Sequence, residues 1–149
     1  MDVSQLKDEL RRDEGFENHV YDCTRGHATA GYGHNCEAAG YDPAWIESHR
    51  AEGSISREQA EEWLESDIQR AVEIARECCS SFDQLSNSRR RVLCNMAFNM
   101  GHKLNDFRRM LAAVEDQDWD KAAEEMLDSL WAEQVHDRSK RLAAMMLSG

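Results

Sequence analysis

A carboxylic acid works as a general acid only if it keeps its proton until a bond breaks, and the 149-residue sequence sets one glutamate apart for that task. Glu14 ends a stretch in which Leu6 and Leu10 fall one helical turn apart among charged residues, and Gly15 follows at once. It therefore stands at a helix C-terminus, where the negative end of the helix dipole opposes a further negative charge, ahead of a turn that can bring it to a cleft wall. One glutamate among 29 acidic residues would ordinarily be a solvated surface group, so this assignment needs further residues in register with it. The cysteines, at 23, 36, 78, 79 and 94, are odd in number and include an adjacent pair that would bridge only with strain, which argues for free cytosolic thiols. No CxxC pair occurs and the six histidines are scattered, so neither a metal site nor a cofactor is expected. Gly31 and Gly33 read as backbone requirements of a turn and not as a phosphate loop, because no helix start follows them.

The elements that must position these residues follow from periodicity. Residues 3–14 are predicted as a short amphipathic helix. From Phe16 to His34 the pattern changes to Val20, Tyr21, Thr24, Thr29 and Tyr32, interrupted by Gly26, Gly31 and Gly33, which predicts two or three short strands joined by tight turns. Ser56, three residues before Gln59, has capping-box spacing, and Ala60, Trp63, Leu64, Ile68, Ala71, Val72 and Ala75 follow at helical spacing toward Cys78. Residues 89–100 are apolar on most faces, as in a central buried helix, and further helices are predicted over 105–114, 118–130 and 138–147. The expected architecture is α+β: one domain over 1–149, with an N-terminal sheet lobe over about 12–55, a connecting helix over about 56–78, and a helical lobe over about 79–149 that includes helix 3–14.

Composition removes several function classes. The net charge of −11 repels phosphates, which disfavours nucleic-acid binding. Mean hydropathy is −0.75 and no apolar run approaches a membrane span, so no bilayer crossing is expected. The first residues lack the basic start and apolar centre of an export signal, which implies a cytoplasmic location after synthesis. The same acidity slows encounter with an anionic polymer at low salt, and suggests a salt-adapted setting in which screening removes the repulsion.

Asp13-Glu14-Gly15-Phe16, Tyr21, Thr24, Gly26 and Thr29-Ala30-Gly31-Tyr32-Gly33-His34 resemble the signature of phage-type, T-even-like lysozymes, glycoside hydrolase family 24. The resemblance continues through Arg90-Arg91, Asn95 to Gly101, Trp119-Asp120 with Ala122-Ala123, and Trp131 with Arg138 and Lys140-Arg141. It implies a lysozyme-like fold and an endolysin that hydrolyses the β-1,4 bond between N-acetylmuramic acid and N-acetylglucosamine in bacterial peptidoglycan. Carried over by position, Glu14 is the general acid and Thr29 the residue that helps hold the attacking water. Cys23 falls where most members place the catalytic aspartate. Asp22 is adjacent, but neighbouring side chains of an extended segment point to opposite faces, so Cys23 is preferred and Asp22 kept in reserve. A thiol of ordinary pKa about 8.5 becomes a strong nucleophile or base if that value is lowered, so Cys23 could attack the anomeric carbon with retention or help activate water with inversion.

The resemblance further implies that Arg138 pairs with the catalytic glutamate, that His34 orders the sheet by hydrogen bonds, and that Asn35 and Phe98 line the saccharide groove. It also implies a monomer held in the host cytoplasm until lysis, when a holin would give access to the wall. Two other readings remain open at this point: a lytic transglycosylase, in which the sugar's own hydroxyl replaces water and no aspartate is needed, and a catalytically silent wall-binding protein.

Overall fold

The computed structural model describes residues 1–149. The elements are α1 (Val3–Glu14), β1 (Glu17–Asp22), β2 (Ala28–Gly31), β3 (His34–Asn35), α2 (Pro43–Ser48), α3 (Arg57–Cys78), α4 (Asn87–Met100), α5 (Arg108–Glu115), α6 (Trp119–Leu127), α7 (Leu130–Val135) and α8 (Asp137–Ser148). This is the α+β arrangement that the periodicity predicts. The chain divides into two compact units, Ser4–Asp67 and Ile68–Gly149 with Met1–Val3, and α3 contributes residues to both. No helix is long and apolar enough to cross a membrane.

In the Ser4–Asp67 unit the three strands pair antiparallel in the order β1-β2-β3. Tyr21 lies opposite Thr29, Asp22 opposite Ala28, Thr29 opposite Asn35 and Ala30 opposite His34, with a bulge in β1 between Glu17 and Tyr21. One sheet face supplies Val20, Ala28 and Ala30 to a core completed by Cys36, Ile46, Ile55 and Trp63, with Tyr41 and Trp45 packed on it. The Asp42-Pro43 segment begins a short helix, α2. Asp42 accepts a hydrogen bond from the Trp45 amide at 2.9 Å, and Pro43 occupies the first turn, where its missing N–H has no partner to lose. Ser56 caps α3 through the Gln59 amide at 3.1 Å, as its spacing predicts. The α3 residues in this unit bind α1 by ion pairs: Arg11 donates to both oxygens of Glu61, at 3.0 and 2.7 Å, and Lys7 reaches Glu65 at 3.4 Å.

The other unit is helical. α4 is buried on most sides through Val92, Leu93, Cys94, Asn95, Met96 and Ala97, and α8 packs against both α4 and α6. The helix expected over 118–130 ends at Leu127, and a helix that was not expected, α7, follows from Leu130. Ser129 separates the two by leaving the helical backbone (φ −145°, ψ 155°) and capping α7 through the Ala132 amide at 3.1 Å. The helix expected from 105 starts at Arg108, because residues 101–106 form a tighter 3-10 segment.

Candidate active site

Strand alternation sorts the predicted site residues of the Ser4–Asp67 unit. Val20, Ala28 and Ala30 face the core, so Tyr21 and Thr29, paired across the strands, face the other way. Asn35 shares their face through its pairing with Thr29. Cys23 continues the same alternation past the end of β1, because its amide still donates to the His27 carbonyl at 2.9 Å. Asp22 lies on the opposite face, exposed and bound by Arg50 at 3.1 Å, which in turn holds Glu47 at 2.9 Å. The sheet thus brings Cys23, Thr29 and Asn35 together and turns Asp22 away from them.

Glu14 is the last residue of α1, and Gly15 leaves the helix at φ +69° while its amide still donates to the Arg11 carbonyl at 3.0 Å. The carboxyl group lies against the backbone of Gly33. A Cβ at that glycine would fall 2.8 Å from Glu14 Cδ and collide with Oε2, and φ there is +67°. Gly33 is therefore needed twice, once for a left-handed turn and once for the approach of the carboxyl group. Gly31 has a parallel role against α3, where an added Cβ would fall 3.1 Å from Ala60 Cβ and 3.2 Å from Trp63.

Cys23 differs from the other four cysteines, all free thiols. Burial pushes Cys36 up to about 11 and Cys94 up to about 12, and raises Cys78 and Cys79. At Cys23 burial also acts upward, but it is outweighed by hydrogen bonds from the backbone of His27 and Arg25, then by the Thr29 hydroxyl and the Arg25 charge, so the thiol lies below its ordinary value. The turn that does this is closed by the Gly26 amide on the Cys23 carbonyl at 2.8 Å. Thr29 is buried, and its one hydroxyl proton is given to the His27 carbonyl at 2.9 Å. A single proton cannot serve two acceptors, so the hydroxyl serves His27 while the thiol is neutral and turns to the sulfur when the thiol ionises.

His34 meets the expectation of an ordering role, but its partners are on α3. Nδ1 and Asp67 Oδ2 are 2.7 Å apart, and the ring stacks on Trp63 at 4.4 Å and 10°. With His34 buried, this pair fixes β3 to the helix. Asn35 uses its carbonyl oxygen to accept from the Ala38 amide at 3.0 Å, which leaves its amide nitrogen as the group that could meet a ligand.

Phe98 and Arg138 belong to the other unit. Phe98 is half-buried on α4, and Arg138 Nε donates to Asn95 Oδ1 at 2.9 Å, which anchors α8 to α4. A cavity of about 400 Å³ in that unit, lined by Phe107, Arg109, Glu125 and Trp131 among others, contains neither of them. Sequence reasoning missed two features of the site, the carboxyl contact at Gly33 and the position of Tyr21, although both residues stood in the motif.

Residues 11–146 match the phage lysozyme family. The chain is similar to two proteins of Dictyostelium discoideum, "Probable T4-type lysozyme 1" and "Probable T4-type lysozyme 2", at 29% and 30% identity, each alignment covering 99% of this chain and 96% of the relative. It is also similar to the "Pre-baseplate central spike protein Gp5" of Enterobacteria phage T4, at 34% identity over 94% of this chain, which spans 27% of that relative's length. The chain belongs to the phage lysozyme family and is a peptidoglycan-hydrolysing glycosidase.

Proposed function

We propose that the chain is an endolysin with muramidase specificity, cutting the β-1,4 bond between N-acetylmuramic acid and N-acetylglucosamine, in which Glu14 is the general acid and Cys23 the base. Glu14 gives its proton to the leaving glycosidic oxygen. Water attacks the anomeric carbon from the opposite face, and its proton passes to the Cys23 thiolate. Thr29, whose proton turns to the thiolate, offers its lone pairs to orient that water. Solvent then returns the proton from the thiol to Glu14, which restores both groups. A water placed in this way leads to inversion and a product first formed as the α-anomer.

The observation that carries this reading is the contrast among the five thiols: the one that continues the alternation of the Thr29 face is the one held below its ordinary value. Contact of Asn35 with the saccharide belongs to the same proposal. So do a monomeric state and release to the wall of the host cell through a holin.

The test is mass spectrometry of fragments released from purified peptidoglycan, with Glu14→Gln and Cys23→Ser alongside. Free reducing ends on muramic acid are expected, falling about 10² to 10⁴-fold in each variant. Anhydro-sugar ends would assign a lytic transglycosylase instead, and no fragments at any salt would leave a silent wall-binding protein. Proton NMR of the first product decides the stereochemistry.

A further inference from the structure

The row of residues that contains Cys23 continues across the sheet. The register that sets Tyr21 opposite Thr29, and Thr29 opposite Asn35, brings His27 beside Cys23 and Glu37 beside His27 in the next row of the same face. Backbone bonds carry both steps: the Cys23 amide donates to the His27 carbonyl at 2.9 Å, and the Cys36 amide to the Ala28 carbonyl at 2.9 Å. The His27 ring is turned to Glu37, whose Oε2 lies 3.2 Å from Nδ1, and Oε1 of the same carboxylate accepts from the Ala28 amide at 3.2 Å. A carboxylate can only accept, so Nδ1 carries a proton, and in the neutral ring Nε2 is left with a lone pair. The groups that lower Cys23 are backbone amides, the Thr29 hydroxyl and the Arg25 charge, so this ring is not committed to the thiol. Both Glu37 oxygens are engaged, while the His27 side chain keeps 50% of its surface exposed. A ring oriented in this way by a carboxylate anchored to the strand has already lost much of the freedom that binding a ligand would cost.

We propose that His27 is a glycan-binding residue and Glu37 its positioning residue: from the face shared with Thr29 and Asn35, Nε2 accepts a hydrogen bond from an O–H or acetamido N–H of the saccharide. The proposal rests on the reading that the glycan meets this face. Asn35 has its oxygen on the Ala38 amide and its nitrogen left to donate. The face therefore offers an acceptor at His27 and a donor at Asn35, with Thr29 next to both. A sugar ring carries donors and acceptors together, so two such groups at fixed places select its orientation as well as its presence.

The test uses the Glu14→Gln protein, which should bind without cutting, and a tetrasaccharide of alternating N-acetylglucosamine and N-acetylmuramic acid. Long-range proton–nitrogen NMR spectra at about pH 8, above the ordinary imidazole range, identify the His27 tautomer and follow Nε2 as the tetrasaccharide is added. Nε2 is expected to start as an unprotonated nitrogen and to move upfield on binding, while the rings of His19 and His49 in the same unit hold their positions. With Glu14 in place, His27→Ala keeps the backbone carbonyl that Cys23 uses. It should raise KM about 3 to 10-fold, the size of one hydrogen bond, with kcat within about twofold. Glu37→Gln should raise KM by less, since its single oxygen serves either Nδ1 or the Ala28 amide and not both. An Nε2 that is protonated from the start overturns the proposal, and so does one that stays fixed while the amides of Thr29 and Asn35 shift with the glycan. If those amides also stay fixed although the intact protein cuts peptidoglycan, the glycan does not meet this face, and the reading beneath the inference fails with it. A fall in kcat, or a displaced pH midpoint for alkylation of Cys23 by iodoacetamide, would assign His27 to the thiol and overturn its role on the glycan.

Discussion

Ser4–Asp67 carries 15 acidic and six basic residues, whereas the rest of the chain carries 14 and 12, so the net charge of −11 is concentrated as −9 in one unit and −2 in the other. Their interiors differ as well. The acidic unit holds its sheet with Trp63, Tyr41, Trp45 and the His34–Asp67 pair, while the helical unit is filled by Leu93, Met96, Leu104, Met110, Met126, Leu142 and Met146, each below 2% exposed. Aliphatic burial is non-directional and gives stability in proportion to area. Stacked rings, a short side-chain hydrogen bond and two glycines under close contact give less area but fixed directions. The unit that carries Glu14, Cys23 and Thr29 is thus built for placement, and the other for stability.

Truncation in each unit should separate the two properties. Leu93→Ala on α4 is expected to cost about 2 to 5 kcal/mol in urea unfolding and to leave turnover per folded molecule within about twofold. A loss of turnover with little loss of stability would break the contrast. Gly33→Ala should do the converse. A left-handed backbone costs an alanine about 1 to 2 kcal/mol, and the new methyl group must also displace the Glu14 carboxyl, so activity should fall about 100-fold or more. Gly53→Ala is the matched control, because φ is +81° there and nothing lies within 4 Å of the added carbon. It should show a similar stability loss with unchanged activity.

The buried thiols give a pH-dependent comparison. Cys36 in the acidic unit and Cys94 in the helical unit are each 0% exposed and pushed up to about 11 and about 12 by burial. An unfolded thiol ionises near 8.5, so above about pH 9 the unfolded chain has released protons that the folded chain still holds. Stability then falls with rising pH, by at most about 1.4 kcal/mol per unit for each thiol. Cys23 acts in the opposite sense. Its lowered value contributes stability present above the ordinary thiol pKa and lost as pH falls through the folded one. Chemical denaturation from pH 8 to 11 should show a declining slope that flattens in Cys94→Ala and in Cys36→Ala. An unaltered slope in both would exclude these thiols as its source.

Legibility in the sequence followed the same division. Helical spacing was enough for α3, because Ala60, Trp63, Leu64, Ile68, Ala71 and Ala75 are all buried as the stripe predicts, with Val72 at its half-buried margin and Ile74 the one position missed. The Ser129 cap escaped notice because the apolar pattern runs on through Leu127 and Leu130, both of which are exposed. In the sheet, alternation alone argued that Asp22 and Cys23 face opposite ways, and the register sets Asp22 opposite Ala28. Why Cys23 is lowered could not be read, since that depends on amides of Arg25 and His27 brought round by a turn and carries no residue-type signal. Tyr21 was visible as a letter of the motif, but its surroundings are three acids from two separate segments.

The smallest expected effect is also the one that tests the charge contrast most directly. Peptidoglycan carries carboxylates, so the acidic unit should be repelled from it at low ionic strength, where the screening length is about 30 Å, and released from that repulsion near 0.15 M, where it is about 8 Å. Hydrolysis of whole peptidoglycan should rise several-fold, on the order of 3 to 10, between those conditions, while a short uncharged glycan shows no rise. Replacing the exposed Glu52, Glu58 and Glu62 by glutamine should flatten the response. The same change at exposed Glu73, Glu124 and Glu133, in the nearly balanced unit, should leave most of it. If both triple variants flatten it equally, net charge alone matters and its distribution does not. A rate that falls steadily with salt would mean that the anionic surface assists the reaction, through cationic groups on the substrate that screening weakens.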